Sequence, residues 1–127
     1  MKRSVLAVTL ATLVSILFVG RALAAWYSYN VIVPKFGGSA YTSYQRKDTP
    51  SGWWAVNSIG VGGSYQVYVT MNQGGDISNS YLVDDWTAVS ALYTTVPGVG
   101  SYVRMRVGNH VYTPVDVQAY GSWTPDG

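Results

Sequence analysis

The chain has no cysteine and no glutamate, and His110 is its one histidine. Without cysteine there can be no disulfide, no thiol catalysis and no cysteine-ligated zinc or iron–sulfur centre. Six aspartates are the only side-chain carboxylates, which argues against most acid–base and metal-dependent enzymes. Charged residues make up 11% of the chain, where an ordinary domain has about a quarter. At 127 residues there is room for one domain. We expect a protein that is not an enzyme and needs no cofactor.

The one long apolar run lies at the start. Met1-Lys2-Arg3 is a short positive opening, Ser4 to Gly20 is apolar or small throughout, and Ala22-Leu23-Ala24 places small residues where a signal peptidase reads. This three-part pattern predicts a secretory signal peptide over 1–24 and a mature domain over 25–127. A membrane anchor needs about 20 apolar residues, and this run falls short, so the membrane enters only during export. Cleavage removes Lys2, Arg3 and Arg21. Five cations then face six aspartates, and the formal charge moves from +2 to −1. A nucleic-acid partner is not expected of such a chain.

The remainder reads as all-β. It holds fifteen valines against two leucines, and all eleven tyrosines and five tryptophans. β-Branched and aromatic residues suit a pleated surface, and the good helix formers are scarce. Alternation predicts strands over Tyr27–Val33, Ser39–Arg46, Trp53–Ile59, Tyr65–Met71, Trp86–Val96, Tyr102–Val107 and Val111–Tyr120, with Ile77–Val83 a short strand or irregular edge. Glycine-rich turns separate them. Seven or eight short strands at this spacing predict a small antiparallel β-sandwich or barrel, and we take the sandwich.

Short aromatic strings carry a family resemblance. Ala40-Tyr41-Thr42-Ser43-Tyr44 resembles the Ala-Tyr-Ser-x-Tyr stretch of lactococcin-972-type bacteriocins, which are small, secreted, cysteine-free β-sandwiches. Tyr27-Ser28-Tyr29-Asn30-Val31, Trp54-Ala55-Val56-Asn57 and Tyr120-Gly121-Ser122-Trp123 resemble an uncharacterised family of short secreted Gram-positive proteins of the same plan. The resemblance implies a secreted factor that acts at the envelope of related bacteria, in the bacteriocin case by binding the cell-wall precursor lipid II. The chain departs from the bacteriocins in its greater length and in lacking their Trp-x-x-Gly opening.

Few residues offer chemistry. His110 sits in a turn, and no Gly-x-Ser-x-Gly elbow accompanies it, so it reads as an exposed histidine. Asp76, Asp84 and Asp85 supply oxygens that calcium would accept, but the EF-hand pattern is missing and turn chemistry explains them equally well. On a strand Asp84 and Asp85 would point to opposite faces, unlike a glycosidase pair.

The aromatics are more informative. Alternation sends Tyr29, Tyr65 and one of Trp53 and Trp54 inward, and leaves the others at the surface. Tyr68 lies opposite the Val67/Val69 face, and Tyr102 shares a face with Arg104 and Arg106. We therefore expect Tyr68, Tyr102, Arg104, Arg106 and Trp53 to form a binding surface, with rings to stack and guanidinium groups to hold an anion. The alternative for such rings is cross-strand stabilisation of an exposed sheet face. The expected partner is a cell-wall precursor or glycan. Self-association through weakly guarded strand edges is the second expectation, and a soluble carbohydrate-binding module the third.

Overall fold

The computed structural model describes residues 24–127. The expected leader, Ala24 apart, lies outside the described residues. Nine strands follow in order: β1 (Tyr27–Val33), β2 (Ser39–Tyr41), β3 (Gln45–Arg46), β4 (Trp53–Val61), β5 (Val67–Asn72), β6 (Tyr81–Val83), β7 (Thr87–Leu92), β8 (Tyr102–Asn109) and β9 (Val117–Thr124). They form two antiparallel sheets. One runs β1-β9-β4-β7; the other runs β2-β8-β5-β6, with β3 also pairing with β8. The first is called sheet A and the second sheet B.

Alternation built the core. Val67, Val69 and Met71 of β5 and Val103, Met105 and Val107 of β8 point inward with no exposed surface. They meet Val33, Trp54, Val56, Ala119 and Trp123 from sheet A in one apolar cluster. Burying a large apolar side chain contributes about 1.5–3 kcal/mol, so this cluster dominates the fold's stability. Two tryptophans, Trp54 and Trp123, go fully inside, and Trp26, Trp53 and Trp86 remain exposed. Of the expected inward residues, Tyr29 is buried, while Tyr65 stands half-buried just ahead of β5.

The element boundaries differ from expectation for identifiable reasons. The strand expected over Ser39–Arg46 is split into β2 and β3. At the break the Thr42 hydroxyl accepts the Met105 N–H at 2.9 Å, so a side chain replaces the ladder. The strand expected from Trp86 to Val96 is shorter, because Trp86 belongs to a turn and, beyond Leu92, Tyr93 bridges to Ser78 and the Thr94 N–H goes to the Ile77 carbonyl. The closing strand starts at Val117 rather than Val111, since His110–Thr113 is a turn closed by the Thr113 N–H on the His110 carbonyl.

Two irregularities shape sheet A. Between Ser58 and Gly60 the β4–β9 register slips by one residue, which leaves Ile59 as a bulge. Gly121 lies under the β4 backbone so closely that a Cβ there would collide with the Asn57 carbonyl oxygen.

One buried ion pair ties the end of β9 to the loop after β3. Lys47 Nζ lies 2.8 Å from Asp126 Oδ1, with side-chain exposures of 0% and 2%. Lys47 thus belongs to the interior. Its ammonium also donates to the Thr49 carbonyl and sits 5.6 Å from the Tyr93 ring centre. Asp126 accepts further bonds from Asp48 N–H, Thr49 N–H and the Thr49 hydroxyl. Burial pushes the Asp126 carboxyl up, but Lys47 and these donors outweigh it and hold the carboxyl below its ordinary range.

Candidate functional site

The outer face of sheet B carries two half-buried cations, Arg104 and Arg106. Residues two apart on a strand share a face, so Tyr102, Arg104 and Arg106 project outward from β8. Arg106 stands opposite Tyr41 of β2 and Thr70 of β5, and Arg104 stands opposite Asn72 of β5.

The two arginines have different surroundings. Arg106 is engaged by a fork: Nε and Nη2 reach the Asp76 carboxylate at 3.1 and 2.9 Å. This pairing, with help from the Asn72 amide, holds the Asp76 carboxyl below its ordinary range. Asp76 is thereby committed to Arg106 and Asn72. Arg104 has no carboxylate partner among the described residues. Its guanidinium carbon lies 3.9 Å from the Tyr41 ring centre and 4.9 Å from that of Tyr44, and its Nε donates to Asn72 Oδ1 at 3.1 Å. Aromatic faces orient a guanidinium without neutralising it, which leaves its remaining N–H groups and its charge for an anion. Tyr102, 59% exposed, extends the same face.

Tyr68 lies on this sheet face but at its far end, beyond Arg106. It stacks at 6.5 Å on His110, which in turn meets Tyr112 at 5.2 Å. His110 is exposed, and its Nδ1 accepts the Tyr112 N–H at 3.2 Å. Beside this trio lies an open cleft of about 460 Å³ bordered by Tyr65, Leu82 and Asp84. Trp53 is elsewhere altogether, on the outer face of sheet A opposite Leu92. The five expected binding residues therefore divide three ways: Tyr102, Arg104 and Arg106 together, Tyr68 with His110, and Trp53 on the opposite sheet.

Sequence reasoning missed Tyr41 and Tyr44 as partners of Arg104. The signal available was the Tyr-Thr-Ser-Tyr string itself, but nothing local links it to β8. It also placed Trp86 in a strand. Trp86 is 81% exposed. Its φ is 54°, a left-handed conformation that costs a bulky L-residue about 1–2 kcal/mol. The turn is held from several sides. Asp84 N–H donates to the Thr87 hydroxyl, Asp85 Oδ1 accepts the Val61 N–H, and Trp86 N–H reaches the bulged Ile59 carbonyl. Asp84 and Asp85 act here as turn residues, and among the described residues no three histidines or aspartates converge as a metal site.

No family model matches the chain, and no curated protein does. A similar solved structure is the crystal structure of PirA, with a TM-score of 0.49 and 13% identity over 77% of this chain and 93% of that chain.

Proposed function

We propose that the protein is a secreted, non-enzymatic bacterial factor that binds a cell-envelope component through the outer face of sheet B. The observation that supports this most directly is Arg104: a half-buried guanidinium beside two tyrosine rings, at 3.9 and 4.9 Å from their centres, with no carboxylate to neutralise it among the described residues. Tyr41, Tyr44 and Tyr102 add flat amphipathic surface around it. Such a constellation suits an anionic group, phosphate or carboxylate, carried on a larger envelope molecule. Arg106 holds Asp76 and shapes the face, rather than contacting the ligand.

The test is co-sedimentation of the protein with isolated cell-wall fractions, together with calorimetric titration of lipid II and of free inorganic phosphate. Saturable binding that weakens about tenfold or more in Arg104→Ala supports the reading, since loss of one charge-assisted contact is worth about that factor. Binding that is indifferent to Arg104→Ala and Tyr102→Ala removes it. A second reading, a structural protein assembling through strand edges, draws on β1 and β7. These are edge strands of six or seven residues with no charged side chain among them.

A further inference from the structure

The cleft beside Tyr68 and His110 lies at the end of sheet B away from Arg104 and encloses about 460 Å³. Its place follows from strand pairing. Tyr68 of β5 faces Leu82 of β6 on one side and Gly108 of β8 on the other. Gly108 has no side chain, which leaves room for the phenol ring to reach His110, where it stacks at 6.5 Å. Tyr65, Leu82, Asp84 and Thr113 border the same space.

The charge in this cleft is of one sign. No lysine or arginine lines it, and Asp84 brings its one carboxylate. Asp84 Oδ1 accepts the Asp85 N–H at 2.8 Å, and Oδ2 has no partner among the described residues. The ion pairs among those residues belong to Asp48, Asp76 and Asp126, so half-buried Asp84 is not neutralised. His110 does not offset it. While its Nδ1 accepts the Tyr112 N–H at 3.2 Å, the ring is neutral and carries its proton on Nε2.

A second polar group stands unpaired. Thr113 is only 6% exposed and borders the cleft. Its backbone N–H and carbonyl bond His110 and Phe36, but its hydroxyl forms no hydrogen bond among the described residues. That hydroxyl is not sealed in protein as those of Tyr29 and Ser58 are, so it opens on the cleft. A hydroxyl set this deep gains from a partner supplied from outside.

These groups select the occupant. An unpaired carboxylate beside electron-rich rings attracts an organic cation and repels an anion. One carboxylate and one imidazole are too few for a metal centre. We infer that the cleft binds a small amino alcohol, its ammonium group paired with Asp84 beside the Tyr65 and Tyr68 rings and its hydroxyl bonded to Thr113. The site does not depend on the envelope-binding reading.

The test is calorimetric titration of the full chain with ethanolamine and choline, against ethylamine, glycerol and glucose, with sedimentation of the free protein in the same buffer. Both amino alcohols should bind saturably; glycerol and glucose, which carry hydroxyls without charge, should not. Asp84→Asn keeps an oxygen for the Asp85 N–H, so the turn survives, and should weaken binding about tenfold or more. Tyr68→Ala should weaken it about threefold. Asp85→Asn and Arg104→Ala should leave it unchanged. Thr113→Val, which keeps the shape and removes the hydroxyl, should erase the preference for ethanolamine over ethylamine. Absence of binding by either amino alcohol overturns the inference, as does equal binding of glycerol or glucose, or binding that survives Asp84→Asn. A dimer abolished by Asp84→Asn also overturns it, because a cation of a second copy then occupies the cleft.

Discussion

Replacing Asp126 by asparagine should unfold this protein more readily than any surface change. Asparagine keeps one oxygen for the loop donors but strips the charge facing Lys47, whose ammonium has no exposed surface. Removing one member of a buried pair costs about 3–5 kcal/mol, because the other charge stays inside uncompensated. A domain of this size has about 5–15 kcal/mol in total. At about 4–8 °C per kcal/mol, Tm should fall on the order of 20 °C. Lys47→Met should cost less, about 1–3 kcal/mol, since Asp126 retains Asp48 N–H, Thr49 N–H and the Thr49 hydroxyl. The double variant should recover part of the loss, with a coupling of about 1–3 kcal/mol. Urea melts followed by the fluorescence of the buried Trp54 and Trp123 give all four corners of this cycle. A loss under about 1 kcal/mol in Asp126→Asn, or strict additivity in the double variant, would refute the reasoning. The pH dependence carries the same signature. The folded Asp126 carboxyl titrates below its ordinary value, so its contribution is complete above about pH 4 and is lost as pH falls through the lowered value. Asp126→Asn should flatten that acid limb.

Three further outcomes are expected. Gly121→Ala drives a methyl into the Asn57 carbonyl and should cost about 2–3 kcal/mol in the same melts; a neutral result would show that β4 and β9 can separate freely. Trp86→Gly should be more stable than Trp86→Ala by about 1 kcal/mol, because glycine accepts the left-handed φ; equal stability would mean the turn relaxes on substitution. Burial pushes the Tyr29 phenol up; the Ser58 hydroxyl opposes this weakly, and the two oxygens form no hydrogen bond. The stability that the neutral Tyr29 phenol contributes is complete below about pH 10 and is lost as pH rises through its raised folded value, so Tyr29→Phe should soften the alkaline loss and leave neutral stability unchanged or higher.

The core strands were legible because each obeys a local rule. Val103, Met105 and Val107 alternate with Tyr102, Arg104 and Arg106, and a strand with one face on the core must segregate them. Alternation also left one of Trp53 and Trp54 outward without choosing between them, and which sheet β4 joins is decided by pairing with β7 and β9, far along the chain. The candidate site was less legible for the same reason. The partner that neutralises Arg106 is 30 residues away, and the partner of Lys47 is 79 away. No period or spacing encodes either. Trp86 ran against its own propensity, since its turn is imposed by Val61, Thr87 and a bulged carbonyl rather than by a turn residue at position 86.

The strand order of sheet A has a consequence for when this chain folds. Among the described residues β1 pairs only with β9, and across that pairing Gln118 meets Asn30 at a separation of 88 residues. β4 likewise waits for β9 on one side. During synthesis the first strand and much of the core face remain without partners until the final strand has left the ribosome. Assembly is thus a late and slow event with a long partner-free interval, in which the uncharged strands of sheet A are open to chaperones.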